Sequence, residues 1–176
     1  MEHTLLSNEI DQKLIVFESN PDFTDNSRGF WEFIINNTDY KTFWIVNDEK
    51  VLKQMTNKGI ACGLKGSSIS NEMVERAQIL FSSTFEFSYK KRIEQIHIAA
   101  WHGFPLKVIG FFDNAIGDES TFDNLRVITA QTDVIPVTSR FGQVITSGMF
   151  ATDPRKAFVT GFPRNDLIFH NDGKSI

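Results

Sequence analysis

The chain has little of what would place a sequence quickly. It contains one cysteine, Cys62, which excludes an intrachain disulfide and fits a reducing compartment. Cys62 lies in Ile60-Ala61-Cys62, where a small buried apolar residue is expected rather than a reactive thiol. No apolar run approaches the roughly 18 to 20 residues that a membrane span needs. The N-terminus carries Glu2, Glu9 and Asp11 and lacks the basic-then-apolar order of a signal peptide. Positive charge is not in excess: 18 Lys and Arg against 22 Asp and Glu give a net charge of −4. That balance argues against a nucleic-acid-binding surface covering the domain. No repeat, low-complexity tract or linker interrupts the sequence. A soluble, cytoplasmic chain forming a single domain over residues 1–176 is expected.

What is present is ordinary globular material, 41% hydrophobic and 23% charged, with an unusual 17 phenylalanines that either fill a core or cover a surface. Short β-rich runs alternate with helical patterns. Strands are expected over residues 13–18 (KLIVFE), 42–46, 59–64, 77–82 (AQILFS), 96–100, 133–137 and 156–160. Pro136 should mark the end of the sixth. Helices are expected over about 28–36 behind an Asn26 or Ser27 cap, over 48–55, 70–76 and 139–150, with a weaker pattern over 122–129. Residues 113–121 read as a loop, Lys90-Lys91-Arg92 as a solvated face or a contact for anionic lipid or phosphate, and 170–176 as a polar tail. The alternation predicts an α/β fold: a mostly parallel, doubly wound sheet with helices on both faces.

The stretch from Ile96 to Lys107 begins as an apolar run suited to a buried central strand. It then breaks into Trp101, His102, Gly103 and Pro105. Open α/β sheets present chemistry where their strands end. His97, between Ile96 and Ile98, reads as a hydrogen-bonded core histidine. His102 follows the strand, where an imidazole can face a cleft and remove a proton from a hydroxyl. His97 and His102 are five apart, which does not give the i, i+4 metal pair of a helix, so no metal site is expected. The glycines at 59, 63 and 66 lack the spacing of a phosphate-binding loop. A second constellation, Gly161-Phe162-Pro163-Arg164-Asn165-Asp166, again follows a strand. The residues alone leave two readings level: a ligand-facing turn, or a helix cap with Arg164 paired to a carboxylate.

The two constellations together resemble the CDP-glycerol glycerophosphotransferases, the polymerases and primases of teichoic acid and related capsule chains. The resemblance rests on Trp101-His102-Gly103-x-Pro105-Leu106-Lys107 with Gly110, followed by Gly161-x-Pro163-Arg164-Asn165-Asp166. Val16-Phe17-Glu18-Ser19, Asp25-Asn26-Ser27-Arg28, Asp133-Val134-Ile135, Ser139 and Phe150 extend it over residues 13–168. Phe104 replaces a usual threonine, and Ser27 stands where proline is common.

The resemblance implies one Rossmann-like, acceptor-side lobe of a GT-B-type transferase, whose nucleotide-binding C-terminal lobe is absent from this chain. It implies that glycerol phosphate moves from CDP-glycerol to the terminal hydroxyl of a lipid-linked or polymeric polyol-phosphate acceptor, with release of CMP. His102 would then be the general base, and Trp101, Gly103, Lys107, Arg164, Asn165 and Asp166 would bind substrate. CDP-glycerol would serve as donor substrate, with no separate cofactor and no nucleic-acid partner, at the cytoplasmic face of the membrane. Two alternatives stay open: a non-catalytic module that binds such an acceptor or a partner protein, and a ribitol-phosphate transferase.

Overall fold

A computed structural model describes residues 9–84, 87, 91–113 and 119–170. The elements run β1 (Asp11–Glu18), α1 (Asp25–Asn37), β2 (Lys41–Val46), α2 (Glu49–Asn57), β3 (Cys62–Leu64), α3 (Ser68–Arg76), β4 (Ala77–Ser82) and β5 (Ile96–Ala99). They continue with α4 (Glu119–Ala130), β6 (Ile135–Val137), α5 (Arg140–Met149), β7 (Ala157–Val159) and α6 (Pro163–His170). The first five strands form a parallel sheet in the order β3-β2-β1-β4-β5. A second parallel pair, β6-β7, is tied to β5 by one bridge between Ile98 and Val134.

β1 is the centre of the sheet, and its sequence explains why. Leu14, Ile15, Val16 and Phe17 are all buried, the continuous apolar run that a strand covered on both faces requires. Alternate side chains feed two cores. Leu14 and Val16 join Phe43, Ile45, Val74 and Leu80 on one face, which α3 covers. Ile15 and Phe17 join Trp44, Val46, Ile34, Met55 and Phe81 on the other, under α1 and α2. That second core is a ring cluster in which Phe17 stacks on Trp44 at 5.2 Å and Phe30 on Phe81 at 4.6 Å. Four of the phenylalanines, Phe17, Phe23, Phe30 and Phe81, fill the core on this face, whereas Phe33, Phe104, Phe112, Phe141 and Phe158 stay exposed. The expected α/β, doubly wound architecture is the one observed. No helix among the described residues is long and apolar enough to cross a membrane.

Several local expectations are corrected. The run from Ile96 is not the central strand: β5 ends the five-stranded sheet, and Ile96 is half-exposed while His97 is buried. The first helix begins at Asp25, behind Thr24, so Asn26 and Ser27 lie inside it instead of capping it. Their side chains turn inward: the Ser27 hydroxyl donates to the Glu18 carbonyl at 2.8 Å. The helix expected over 70–76 starts two residues earlier, at Ser68, behind Ser67, whose hydroxyl accepts from the Ser70 amide.

Pro136 sits in the middle of β6, whose three residues need few ladder bonds. Cys62 is only partly buried, with its thiol over the carbonyl of Leu52 within α2. Lys91 is not a solvated charge, because its ammonium pairs with Asp133 at 3.1 Å and donates to the Gln95 carbonyl. Lys90, the residues 114–118 of the expected loop and the tail 171–176 lie outside the described residues.

Candidate active site at the carboxyl edge of the sheet

The chain leaves β5 at Ala99 and turns through Ala100 and Trp101. Trp101 adopts a left-handed backbone, with φ of 60°, a conformation rare for a bulky residue and found mostly where a site imposes it. Its indole packs edge-on against Phe150 at 4.8 Å, and the turn delivers His102 to the surface with 47% of its side chain exposed.

Asp25, at the start of α1, meets it there. Asp25 is also left-handed, with φ of 58°, and 89% of its side chain is covered. One carboxylate oxygen lies 2.8 Å from His102 Nδ1, and the other accepts from Arg164 Nη1 at 2.7 Å. One carboxylate thus holds a residue from each of the two constellations.

Asn26 reinforces the junction from beneath. Fully buried, it donates from Nδ2 to the Trp101 carbonyl at 2.5 Å and accepts at Oδ1 from the Arg164 amide at 3.2 Å. Close backbone approach completes the arrangement. A Cβ at Gly29 would stand 2.8 Å from the Arg164 amide nitrogen, so only glycine lets α6 seat on α1. Gly103, with φ of 137°, would carry a Cβ 3.0 Å from Arg164 Nη2.

Phe104 stacks on Phe141 at 5.8 Å and, with Trp101, Pro136, Thr138 and Phe162, lines a narrow crevice beside His102. A separate polar cavity of about 430 Å³ opens over the ends of β1, β2 and β3, where buried Glu18 pairs with Lys65.

Of the residues singled out in the sequence, Trp101, His102, Gly103 and Arg164 converge here. Lys107 lies exposed farther along the loop, and the side chains of Asn165 and Asp166 are exposed on the first turn of α6. The carboxylate partner of Arg164 is Asp25, so that turn both opens a helix and contributes to the cluster. From the sequence, Asn26 is expected only as a helix cap and Asp25 has no role of its own. The polar run Asp25-Asn26-Ser27-Arg28 was the available signal, masked by its resemblance to ordinary capping residues. Chemically, a half-exposed imidazole whose Nδ1 faces a carboxylate presents Nε2 as a proton acceptor.

The fold and this cluster define a doubly wound α/β domain carrying an oriented imidazole at the carboxyl edge of its sheet. The chain belongs to the CDP-Glycerol:Poly(glycerophosphate) glycerophosphotransferase family, whose model matches residues 1–176. It is 22% identical over 174 residues to the teichoic acid glycerol-phosphate transferase of Staphylococcus aureus (strain NCTC 8325 / PS 47), covering 94% of this chain and 44% of that protein.

Among solved structures it matches a histidine-to-alanine variant of the wall teichoic acid polymerase TagF. The TM-score is 0.79 at 20% identity, over 97% of this chain and 44% of that one. A histidine-to-asparagine TagF variant soaked with CDPG for 15 minutes gives the same TM-score and identity over 92% and 41%. At this identity the structural likeness concerns the fold. The chain spans less than half the length of these relatives.

Proposed function

We propose that this domain is the acceptor-side wall of a glycerophosphotransferase site, with His102 as the general base. The observation that carries the reading is the 2.8 Å contact between His102 Nδ1 and Asp25, in a chain matched over its whole length by the family. In the proposed step the oxygen of the acceptor's terminal hydroxyl attacks the glycerol-bearing phosphorus of CDP-glycerol. The bond from that phosphorus to the bridging oxygen breaks, CMP leaves, and the hydroxyl proton passes to Nε2 of His102. Such chemistry asks for positioning, a base and neutralisation of phosphate charge. Trp101 and Gly103 shape the loop that carries the base, and Arg164 holds the carboxylate behind it. Lys107, Asn165 and Asp166, all exposed, are proposed to meet substrate phosphates or hydroxyls from the rim of the cleft. The donor is a substrate, and no cofactor is invoked.

A GT-B cleft has two walls, and the proposal assigns the nucleotide to a second lobe. The 176-residue chain by itself should therefore fold but release little CMP from CDP-glycerol. In a form that turns over, His102→Ala should reduce transfer by about 10²–10⁴-fold, the usual contribution of a general base, with unchanged circular dichroism. Normal turnover by that variant would remove His102 from the mechanism. A second reading, a module that binds a polyol-phosphate or glycolipid acceptor or a partner protein without catalysis, draws on the exposed rim of Lys107, Asn165 and Asp166, which suits binding as well as turnover. Titration of CDP-glycerol and of glycerol- and ribitol-phosphate oligomers separates the readings. Oligomer binding with no turnover in any longer form favours the module, and the preferred oligomer identifies the polyol.

A further inference from the structure

We infer that Asp25 is the positioning residue of this site: clamped by Arg164, its carboxylate fixes the His102 imidazole as the Nδ1–H tautomer and aims Nε2 at the acceptor hydroxyl. The inference rests on the proposed role of His102 and adds to it the device that orients the base.

Three observations carry it. The Asp25 carboxylate is divided between two partners, with Oδ2 at 2.8 Å from His102 Nδ1 and Oδ1 at 2.7 Å from Arg164 Nη1. A carboxylate accepts only, so the ring nitrogen facing it carries the proton, which leaves the lone pair on Nε2. Both ends of the contact are held in left-handed backbone: Asp25 at φ of 58° and Trp101, next to His102, at φ of 60°. Such conformations persist only where their surroundings over-determine them. Finally, Asn26 ties the Trp101 carbonyl and the Arg164 amide to the start of α1. Neither loop can then drift relative to the carboxylate.

The clamp explains why an arginine stands at position 164. A guanidinium is permanently charged and presents a fixed fork of donors, so Nη1 can hold Asp25 while Nη2 lies beside Gly103. In the transfer step Nε2 gains the hydroxyl proton as the new phosphorus–oxygen bond forms, and the resulting imidazolium is stabilised by the carboxylate it already faces.

The test is Asp25→Asn. Its amide oxygen can still accept from Arg164, but its NH₂ then faces His102 and can only donate, which forces the Nε2–H tautomer. Long-range ¹H–¹⁵N correlation spectra of the histidine-labelled 176-residue chain, at alkaline pH, read the tautomer directly and need no turnover. The expected result is Nδ1–H in the wild type and Nε2–H in D25N, with the amide spectrum otherwise preserved. Where turnover is measured, kcat should fall by about 10²–10⁴-fold with KM for CDP-glycerol unchanged, the behaviour of a base in the wrong tautomer.

A wild-type His102 in the Nε2–H form overturns the inference whether or not D25N folds. So does a D25N protein that changes tautomer yet keeps the wild-type kcat. If His102→Ala transfers normally, the base assignment fails on its own, and the tautomer spectra still decide whether Asp25 orients the ring.

Discussion

Phe104 stands where the family usually has threonine, immediately after the Trp101-His102-Gly103 turn. Its ring does not enter the main core. It remains 43% exposed and stacks on Phe141, itself largely exposed, so the two form an apolar ledge beside the imidazole. The residue that removes a hydroxyl from the rim thus also adds a flat hydrophobic surface to it. Phe104→Thr should cost only about 1 kcal/mol in urea denaturation, the worth of an aromatic pair, and should leave the His102 tautomer unchanged. A loss above about 3 kcal/mol, the range of a truncated core ring, would make Phe104 a structural residue instead.

Legibility in the sequence divides at this same scale. His102 and Arg164 could be found because each follows a strand in a turn-forming motif. Asp25 could not, because its partners lie 77 and 139 residues away, and nothing local separates an orienting aspartate from a capping one. Lys107, Asn165 and Asp166 were drawn in by neighbouring motif positions. The structure leaves all three exposed at the surface, Lys107 in the loop and Asn165 and Asp166 on the first turn of α6.

At the scale of elements, the inner strands and the start of α1 differ in legibility for a physical reason. β1, β2 and β4 are short apolar runs, rich in β-branched and aromatic residues, of strand length, and their boundaries fall within a few residues of expectation. The start of α1 was missed because Thr24, Asp25, Asn26 and Ser27 are four successive residues that favour helix caps. Tertiary bonds decide among them: Ser27 is drawn to the β1 carbonyl and Asn26 to the turn after β5.

The contact between α1 and α6 is the element-level feature on which the site depends most. Gly29 permits it, and a methyl group there would press on the Pro163 carbonyl carbon and the Arg164 amide, each 2.8 Å from its position. Gly29→Ala would raise the helix propensity of α1, yet overpacking should win and destabilise the protein by about 1–3 kcal/mol. The same variant should disturb the His102 signals in a histidine-labelled spectrum. A stabilised protein with unaltered signals would show that α6 has room to move.

For the whole molecule, acid stability should be governed in part by His97. It is buried on β5, with Nε2 3.0 Å from the Ser82 hydroxyl at the end of β4 and Nδ1 3.4 Å from Thr132 Oγ1, in the turn after α4. Burial pushes its pKa down to about 4, against the opposing pull of Asp133, while Lys91 adds to the depression. The folded chain therefore keeps this imidazole neutral, whereas the unfolded chain takes up a proton below about 6.5. Stability should be complete above about pH 6.5 and fall as the pH drops towards 4, by about 3 kcal/mol in all. His97→Gln, which cannot be protonated there, should flatten that part of the stability–pH curve by up to one proton. Parallel curves for the two proteins would sink the idea.

Asn26 carries one more consequence. Its two hydrogen bonds reach 75 and 138 residues along the chain, so a single amide gathers the opening, middle and closing portions of the described fold. Such long closures are among the slowest contacts a chain makes. During synthesis the aspartate beside it emerges early and waits, unarmed, for the arginine that clamps it. The competent geometry is thus among the last features acquired, and an unfinished chain would hold its histidine without holding it in aim.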